Sequence, residues 1–449
     1  MSWIFDHIDS LGKRNAISDS TSSYTYYELL GKMHEYNRVI SPKVMPGDTV
    51  VILSDYSFYS IALFLVLFNK KCIINPIVSN IQEEINSKTE VSSANKIIQI
   101  TTDGELRIEL KSQKKIHVIV SRLVKKNQSG LILFSSGSTG EPKAMVHNLD
   151  VLMESYKGKK LRKLNILVFL MFDHIGGLNT LLNALFMGSH VILSSNRDAL
   201  SISALIERYR IHVLPASPTF LNMMLIANVI NKYNLSSLKI ITYGTEPMSE
   251  SLLLRLRSYF PKVRLLQTFG TSETGIIKTS SRSSDSLEMK LGDRNQEYNV
   301  INGELWIRSK IQMLGYLNES MDSLAKGGWF CTGDLVEESD DGYIRIIGRK
   351  NEVINFGGEK VFPIEVESVL MEMEMVKDVV VFGMNNAITN QCVAAKIYLN
   401  SGYSHCQAKK EIRNYCRDRL SKYKVPVKII FTKNIGVTNR CKKSRTITV

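Results

Sequence analysis

The chain contains no run of the roughly 18 apolar residues that a membrane-spanning helix requires. Its longest apolar stretch, Ile61 to Phe68, stops at Asn69-Lys70-Lys71 and reads as a buried helix. A secretory leader is not expected either. Met1-Ser2-Trp3-Ile4-Phe5-Asp6 carries an acid where such a signal is basic, and a cytoplasmic protein is expected. The six cysteines (Cys72, Cys331, Cys392, Cys406, Cys416 and Cys441) form no CxxC pair and fall at no metal-ligand spacing. That argues against a disulfide framework and favours free thiols. Internal repeats and low-complexity tracts are absent. Acidic residues are in deficit, with 43 Asp and Glu against 57 Lys and Arg, for a net charge of +14. No basic arm or basic–aromatic interleaving accompanies that excess, which argues against nucleic acid. A phosphorylated substrate or an acidic carrier protein explains the charge as well.

What the chain does have is length and apolar content. Its 449 residues, 44% hydrophobic, exceed one compact unit and predict at least two domains. From about 25 to 220, short apolar runs (Thr49 to Leu53, Cys72 to Asn75, Leu131 to Phe134, Asn165 to Phe172, His190 to Ser194) alternate with helix-length amphipathic stretches (Tyr26 to Val39, Tyr56 to Phe68, Leu178 to Phe186). This alternation predicts an α/β fold, with a large N-terminal domain of stacked α/β subdomains and mostly parallel sheets over 1–348. Further strands are predicted at Leu238 to Tyr243, Val263 to Thr268 and Gly303 to Ile307. Near Gly348 the texture changes. A Gly357-Gly358 turn is followed by an acidic helix from Ile364 to Met373 and strands at Val376 to Phe382 and Val393 to Leu399. A charged helix from Ser404 to Leu420 and a strand from Val427 to Thr432 complete a small, mobile α+β domain over 349–449, hinged at Arg349 to Glu352.

The sharpest local signal is Phe134-Ser135-Ser136-Gly137-Ser138-Thr139-Gly140-Glu141-Pro142-Lys143. It follows a predicted strand and offers backbone N–H groups, hydroxyls and a lysine, the set that cradles a polyphosphate. It is not the usual nucleotide P-loop, because Pro142 precedes Lys143 and proline has no N–H to donate. Downstream come Phe269-Gly270-Thr271-Ser272-Glu273-Thr274-Gly275, then Gly328-Trp329-Phe330-Cys331-Thr332-Gly333-Asp334. Gly348-Arg349, the Gly357-Gly358 turn and Thr438 to Arg445 complete the series.

In this order and spacing, the set resembles the adenylate-forming superfamily of acyl-CoA synthetases (AMP-dependent synthetases and ligases), adenylation domains of nonribosomal peptide synthetases and beetle luciferases. The resemblance covers the chain from about residue 130 to the end. It implies ATP-dependent activation of a carboxylic acid to acyl-AMP, then transfer to a thiol, either CoA or the phosphopantetheine of an acyl or peptidyl carrier protein. By the same resemblance, Ser135, Ser136, Gly137, Ser138, Thr139, Gly140 and Lys143 wrap the β- and γ-phosphates, with Thr139 and Lys143 making the closest contacts. Phe269 stands where the family's adenine-stacking aromatic, usually Tyr, is found. Gly244, Thr245, Gly270 and Thr271 belong to the same nucleotide site, and Ser272 bonds the α-phosphate. Glu273 would hold Mg²⁺, a cation that prefers carboxylate oxygen. Asp334 would accept from both ribose hydroxyls, and Arg349 would reach the ribose or a phosphate.

The family's catalytic Gly-Lys pair, with an Arg three residues on, matches Cys441-Lys442 and Arg445. Lys442 is therefore the cation expected to bridge the carboxylate and the α-phosphate as charge develops. Lys443 is the alternative, because Cys replaces the glycine that would fix the register. The family's hinge residue, usually an acid or Lys, is Asn351 here. A degenerate member that binds nucleotide without turnover is disfavoured, because Thr139, Lys143, Glu273, Asp334, Arg349 and a C-terminal lysine all stand together.

The segment Phe172-Asp173-His174-Ile175-Gly176-Gly177-Leu178 resembles two family patterns. Phe-Asp resembles amino-acid-activating domains, in which Asp173 would pair with an α-ammonium. His-Ile-x-Gly-Leu resembles acyl- and aryl-CoA synthetases, in which His174 sits beside the substrate carboxylate, and this match is the longer. Ser217, Pro218, Tyr243 and Gln267 are further pocket residues, and Gly244 would let a ring pass close to the backbone. The short segment between Gly275 and Gly303 resembles compact o-succinylbenzoate–CoA synthetases, which favours a small or aromatic acid.

Overall fold

The computed structural model describes residues 3–112, 115–135, 142–293, 295–320, 324, 327–436 and 443. Helix starts follow from local chemistry. Thr25 and Glu28 form a reciprocal capping box on Tyr26–Ile40, and Ser57 with Ser60 does the same for Phe58–Asn69. The first helix buries one stripe, Leu29, Met33, Tyr36 and Ile40. The second, FYSIALFLVLFN, is apolar around most of its circumference and buried to match. A helix of that kind needs apolar neighbours on all sides.

Two seven-stranded sheets supply them. In the first, Gly130–Ser135, Ile73–Ile77, Thr49–Leu53 and Lys96–Ile100 run parallel, with antiparallel strands at both edges. In the second, Arg264–Gln267, Ile240–Tyr243, Val213–Ala216, Asn165–Val168, His190–Leu193 and Asn15–Ser18 run parallel in that spatial order. Helices Tyr26–Ile40, Phe58–Asn69 and Ile175–Phe186 lie between the sheets. One continuous core joins Val50, Ile52 and Ile74 of the first sheet to Ile17, Ile166 and Val191 of the second. The outer face of the second sheet (Leu167, Ile192, Leu214, Ile241, Leu265) packs in its own cluster under helices Ala199–Tyr209, Pro218–Ile226 and Glu250–Tyr259.

The mostly parallel α/β architecture is therefore as expected, with three local differences. The run from Asn165 yields only a four-residue strand, Asn165–Val168, before the chain turns. Helix Ile175–Phe186 starts three residues earlier than its apolar pattern suggested, because His174 caps it. A six-stranded, wholly antiparallel sheet also follows the parallel ones. Its strands are short and half-exposed, such as Gln296–Ile301 (QEYNVI), so apolar runs do not announce them.

Arg349 closes that third sheet, paired in register with Asp334, and Lys350–Glu352 is a single 3₁₀ turn. Beyond it, Val376–Asn386, Asn390–Leu399 and Lys428–Thr432 form a small sheet with the hairpin Ile354–Phe356 and Glu359–Val361. Gly357 and Gly358 turn that hairpin at φ of +56° and +99°, values that favour glycine. Helices Pro363–Met371 and His405–Arg419 cover the sheet, and the resulting cluster runs from Ile354 to Ile429.

Candidate active site

Ser135 ends one strand and Lys143 begins the next, and the two are register partners across an antiparallel ladder. Ser136, Gly137, Ser138, Thr139 and Gly140 lie outside the described residues. Lys143 is placed by an ion pair with Glu319 at 3.0 Å and by the face of Tyr316, 6.0 Å away. The Tyr316 hydroxyl donates to Glu273 Oε1 at 3.1 Å. The proposed phosphate lysine and the proposed metal carboxylate are thus tied to one aromatic ring. The segment Gly315–Leu317 that carries the ring is itself pinned beside the Lys143 strand: Leu317 N donates to Ala144 O, and Ala144 N donates to Asn318 Oδ1 at 2.9 Å.

His147 braces the neighbouring turn that carries Ser272 and Glu273. It is fully buried, and its Nε2 donates to Ser272 O at 2.8 Å. Burial lowers its pKa, partly offset by the carbonyls of Ile311 and Ser272 and by Glu273. Thr271 and Thr274 bond each other across the turn that presents Ser272 and Glu273. Among the described residues, no three His, Cys, Asp or Glu side chains gather to hold a metal. A single oriented carboxylate fits Mg²⁺, which takes one or two protein carboxylates and fills its other positions with water and substrate phosphates.

A second part of the site is made by backbone. A Cβ on Gly244 would meet Thr268 Oγ1 at 2.5 Å and Thr268 O at 2.6 Å. The next residue, Thr245, is held at φ +73°, and its hydroxyl is buried without a partner. A non-glycine residue in this conformation is strained. An unsatisfied hydroxyl beside a glycine cradle fits a polar ligand such as a nucleotide. Phe269 and Gly270 border the same space. Asp334 is 5% exposed, and Arg349 Nε donates to its Oδ1 at 3.0 Å, so the two proposed ribose contacts form one pair. Cys331, in the same motif, donates to Glu304 at 2.7 Å. Burial, then that hydrogen bond, pushes its thiol up to about 11, which leaves it unreactive at neutral pH.

From Gly244 and Thr245 opens a cavity of about 520 Å³. Its floor is one face of the second sheet. Alternate residues point into it, in rows set by strand register: Pro215, Thr242 and Leu266, then Ile166, Val213 and Ile240. Its wall is the helix Ile175–Phe186, which presents Gly176, Asn179, Thr180 and Asn183 at helical spacing.

His174 sits at the mouth of that helix and lines the cavity. Its Nδ1 accepts from Gly176 N at 3.0 Å, which leaves Nε2 as the protonated nitrogen of a neutral ring. Asp173 does not line the cavity. It is 5% exposed and lies 3.9 Å from Lys88 Nζ, a lysine already paired with Glu84 at 2.6 Å. Ser217, Pro218 and Tyr243 are also elsewhere: Ser217 caps helix Pro218–Ile226, and Tyr243 packs in the outer cluster.

Lys442 lies outside the described residues. Lys443 is half-buried and donates to Asp378 at 2.7 Å and to Val379 O at 2.8 Å. Burial alone would lower its pKa, but the carboxylates of Asp378, Glu367 and Glu246 raise it. Sequence reasoning missed Tyr316, Glu319 and His147. None sits in a glycine- or hydroxyl-rich motif, and only the strand pairing shows their role.

Residues 5–317 match the family described as AMP-binding enzyme, and residues 365–442 match the AMP-binding enzyme C-terminal domain. An indoleacetate–CoA ligase of Aromatoleum aromaticum is 29% identical over 324 residues, which is 67% of this chain but only 63% of that protein. The chain thus spans less than two thirds of that relative. Acyl-CoA synthetase 7 of Caenorhabditis elegans is 28% identical, over 74% of this chain and 68% of its own. Among solved structures, the anthranilate CoA ligase AuaEII with anthranoyl-AMP superposes at a TM-score of 0.82 and 19% identity, covering 98% of this chain and 95% of that one. The o-succinylbenzoate CoA synthetase MenE of Bacillus subtilis with its acyl-adenylate reaches 0.76 at 19% identity, covering 99% and 96%.

Proposed function

The chain belongs to the AMP-binding enzyme family, and from that premise we propose that it activates a carboxylic acid with ATP and Mg²⁺ and passes the acyl group to CoA. The observation that carries this reading is the cavity that runs from His174 to the Gly244–Thr245 cradle, beside the Phe269–Glu273 segment. His174 Nε2–H is suited to hold the acid's carboxylate, whose oxygen attacks the α-phosphorus, forming acyl-AMP and releasing pyrophosphate. The thiol then attacks the acyl carbon and AMP leaves. Mg²⁺ on Glu273 would draw charge from the phosphates. Tyr316 orients that carboxylate, and Lys143 with the Ser136–Gly140 loop would hold the β- and γ-phosphates. Asp334 and Arg349 would hold the ribose.

The ion pair of Lys443 with Asp378 argues for Lys442 as the cation at the reacting centre. Unit 349–449 would rotate relative to unit 1–348 about the 350–352 turn between the two half-reactions. Among the described residues, five free cysteines and the lack of a helix able to cross a membrane suit work in the cytoplasm.

A second acceptor has an observation of its own. Residues 349–449 hold eighteen Lys and Arg against nine Asp and Glu, and so carry +9 of the chain's +14. A cationic small domain suits an acidic carrier protein that brings the thiol on phosphopantetheine.

ATP–pyrophosphate exchange across aliphatic, aryl and amino acids tests the first half-reaction, and CoA-dependent AMP release tests the second. Exchange with a non-amino acid is expected, and Lys442→Ala should lower it by about 10³-fold or more. If Lys443→Ala does so while Lys442→Ala does not, the assignment is reversed. Exchange without CoA turnover would transfer the acceptor role to a carrier protein.

A further inference from the structure

The far end of the acid cavity differs in kind from its beginning. The cavity follows the strands from their carboxyl ends, at Gly244 and Thr268, to their amino ends, at Leu164, Val213 and Ile240. Four residues of strand at about 3.3 Å each make that path about 13 Å long, longer than a small acid needs. The floor over this distance is mainly aliphatic. At its far end stand Lys159, Lys160 and Arg162, on the loop that leads into Asn165–Val168, and among the described residues no Asp or Glu lines the cavity. None of the three cations has a carboxylate partner among the described residues. Lys159 instead lies 5.9 Å over the ring of Tyr156.

We propose that the acid this cavity takes carries a second anionic group, a carboxylate or a similar oxyanion, held by Lys159, Lys160 and Arg162 at the opposite end of an apolar body about 10 Å long. The inference rests on the reading of this cavity as the acid site and adds the class of acid to it. The geometry is that of a filter read at both ends. His174 and the cradle take the carboxylate that reacts, the aliphatic rows take the body, and the cations take the far group. A monocarboxylic acid of equal length would leave the three cations uncompensated, and a short diacid would not reach them.

Decanedioate, decanoate and butanedioate serve as probes, each measured by calorimetric titration and by ATP–pyrophosphate exchange in the absence of CoA. Wild type is compared with Lys159→Ala/Lys160→Ala/Arg162→Ala, whose three positions are exposed, so that folding is expected to survive. Decanedioate should be preferred over decanoate about tenfold, in binding and in kcat/KM, with butanedioate disfavoured. In the triple variant the preference should fall towards one. Equal handling of the two long acids by wild type would overturn the proposal, as would a preference that survives the triple variant. Cations that serve CoA phosphates would give that first, negative result, because CoA is absent. If no acid supports exchange yet calorimetry shows the decanedioate preference, the activation reading falls and the distal-anion site stands. Exchange with decanoate alone does the reverse.

Discussion

Along Ile240–Tyr243, Ile241 and Tyr243 enter a packed cluster beneath three helices, whereas Ile240 and Thr242 face the cavity. The backbone is shared and only the pleat separates the two fates. On the outer face, Leu214, Ile241 and Leu265 are at most 1% exposed. On the inner face, helix Ile175–Phe186 packs on the Asn165–Val168 and His190–Leu193 strands, and the cavity takes up the space over the strands beyond. A binding site arises here without any unusual strand sequence. It arises where a covering element is withheld from one face while the other face carries the stability.

That contrast can be broken. Leu214→Ala on the packed face should cost about 2–5 kcal/mol, by lost burial plus a residual cavity, and leave acid selectivity unchanged. Denaturant titration with an acid panel checks both halves. Altered selectivity at full stability would mean that the faces are not separate. Gly244→Ala on the open face should do the opposite. The added Cβ meets Thr268 at 2.5 Å, so kcat/KM should fall about a hundredfold through misplacement of the reactants, with a smaller change in the unfolding midpoint. Retained activity in this variant would remove the cradle from the site.

The smallest effect is one of pH. His147 lies below its ordinary value because it is buried, so the folded protein keeps it neutral while the unfolded chain protonates near pH 6.5. Its contribution is complete above about pH 6.5 and declines as pH falls below that, towards the folded value. Unfolding midpoints at pH 7.5 and 5.5 should differ more in wild type than in His147→Gln. An identical difference would show that other histidines carry the effect.

Much of this was legible before any coordinates. Parallel strands such as Thr49–Leu53 are buried and read as continuous apolar runs, and the glycine- and hydroxyl-rich motifs stand out by composition. Motif length favoured His174 over Asp173 without showing where either stands. The structure puts His174 at the cavity, one residue before the helix begins, and Asp173 away from it. Tyr316 was invisible for another reason. It stands on a two-residue strand, Gly315–Tyr316, paired with the strand Lys143–Asn148, and its hydroxyl reaches Glu273, 43 residues away in sequence. Lys159 and Arg162 carry no local sequence signal that their loop stands over a cavity.

The register of the cavity floor makes it a measuring stick. Its zero mark is Gly244, and its graduations are the two rows led by Thr242 and Ile240, spaced about 6.6 Å apart because alternate strand residues share a face. Bulk added in the first row shortens the scale by both graduations, and bulk in the second by one. On the proposed reading of this cavity, the length of acid accepted is adjustable in steps, at positions on the face opposite the packed cluster.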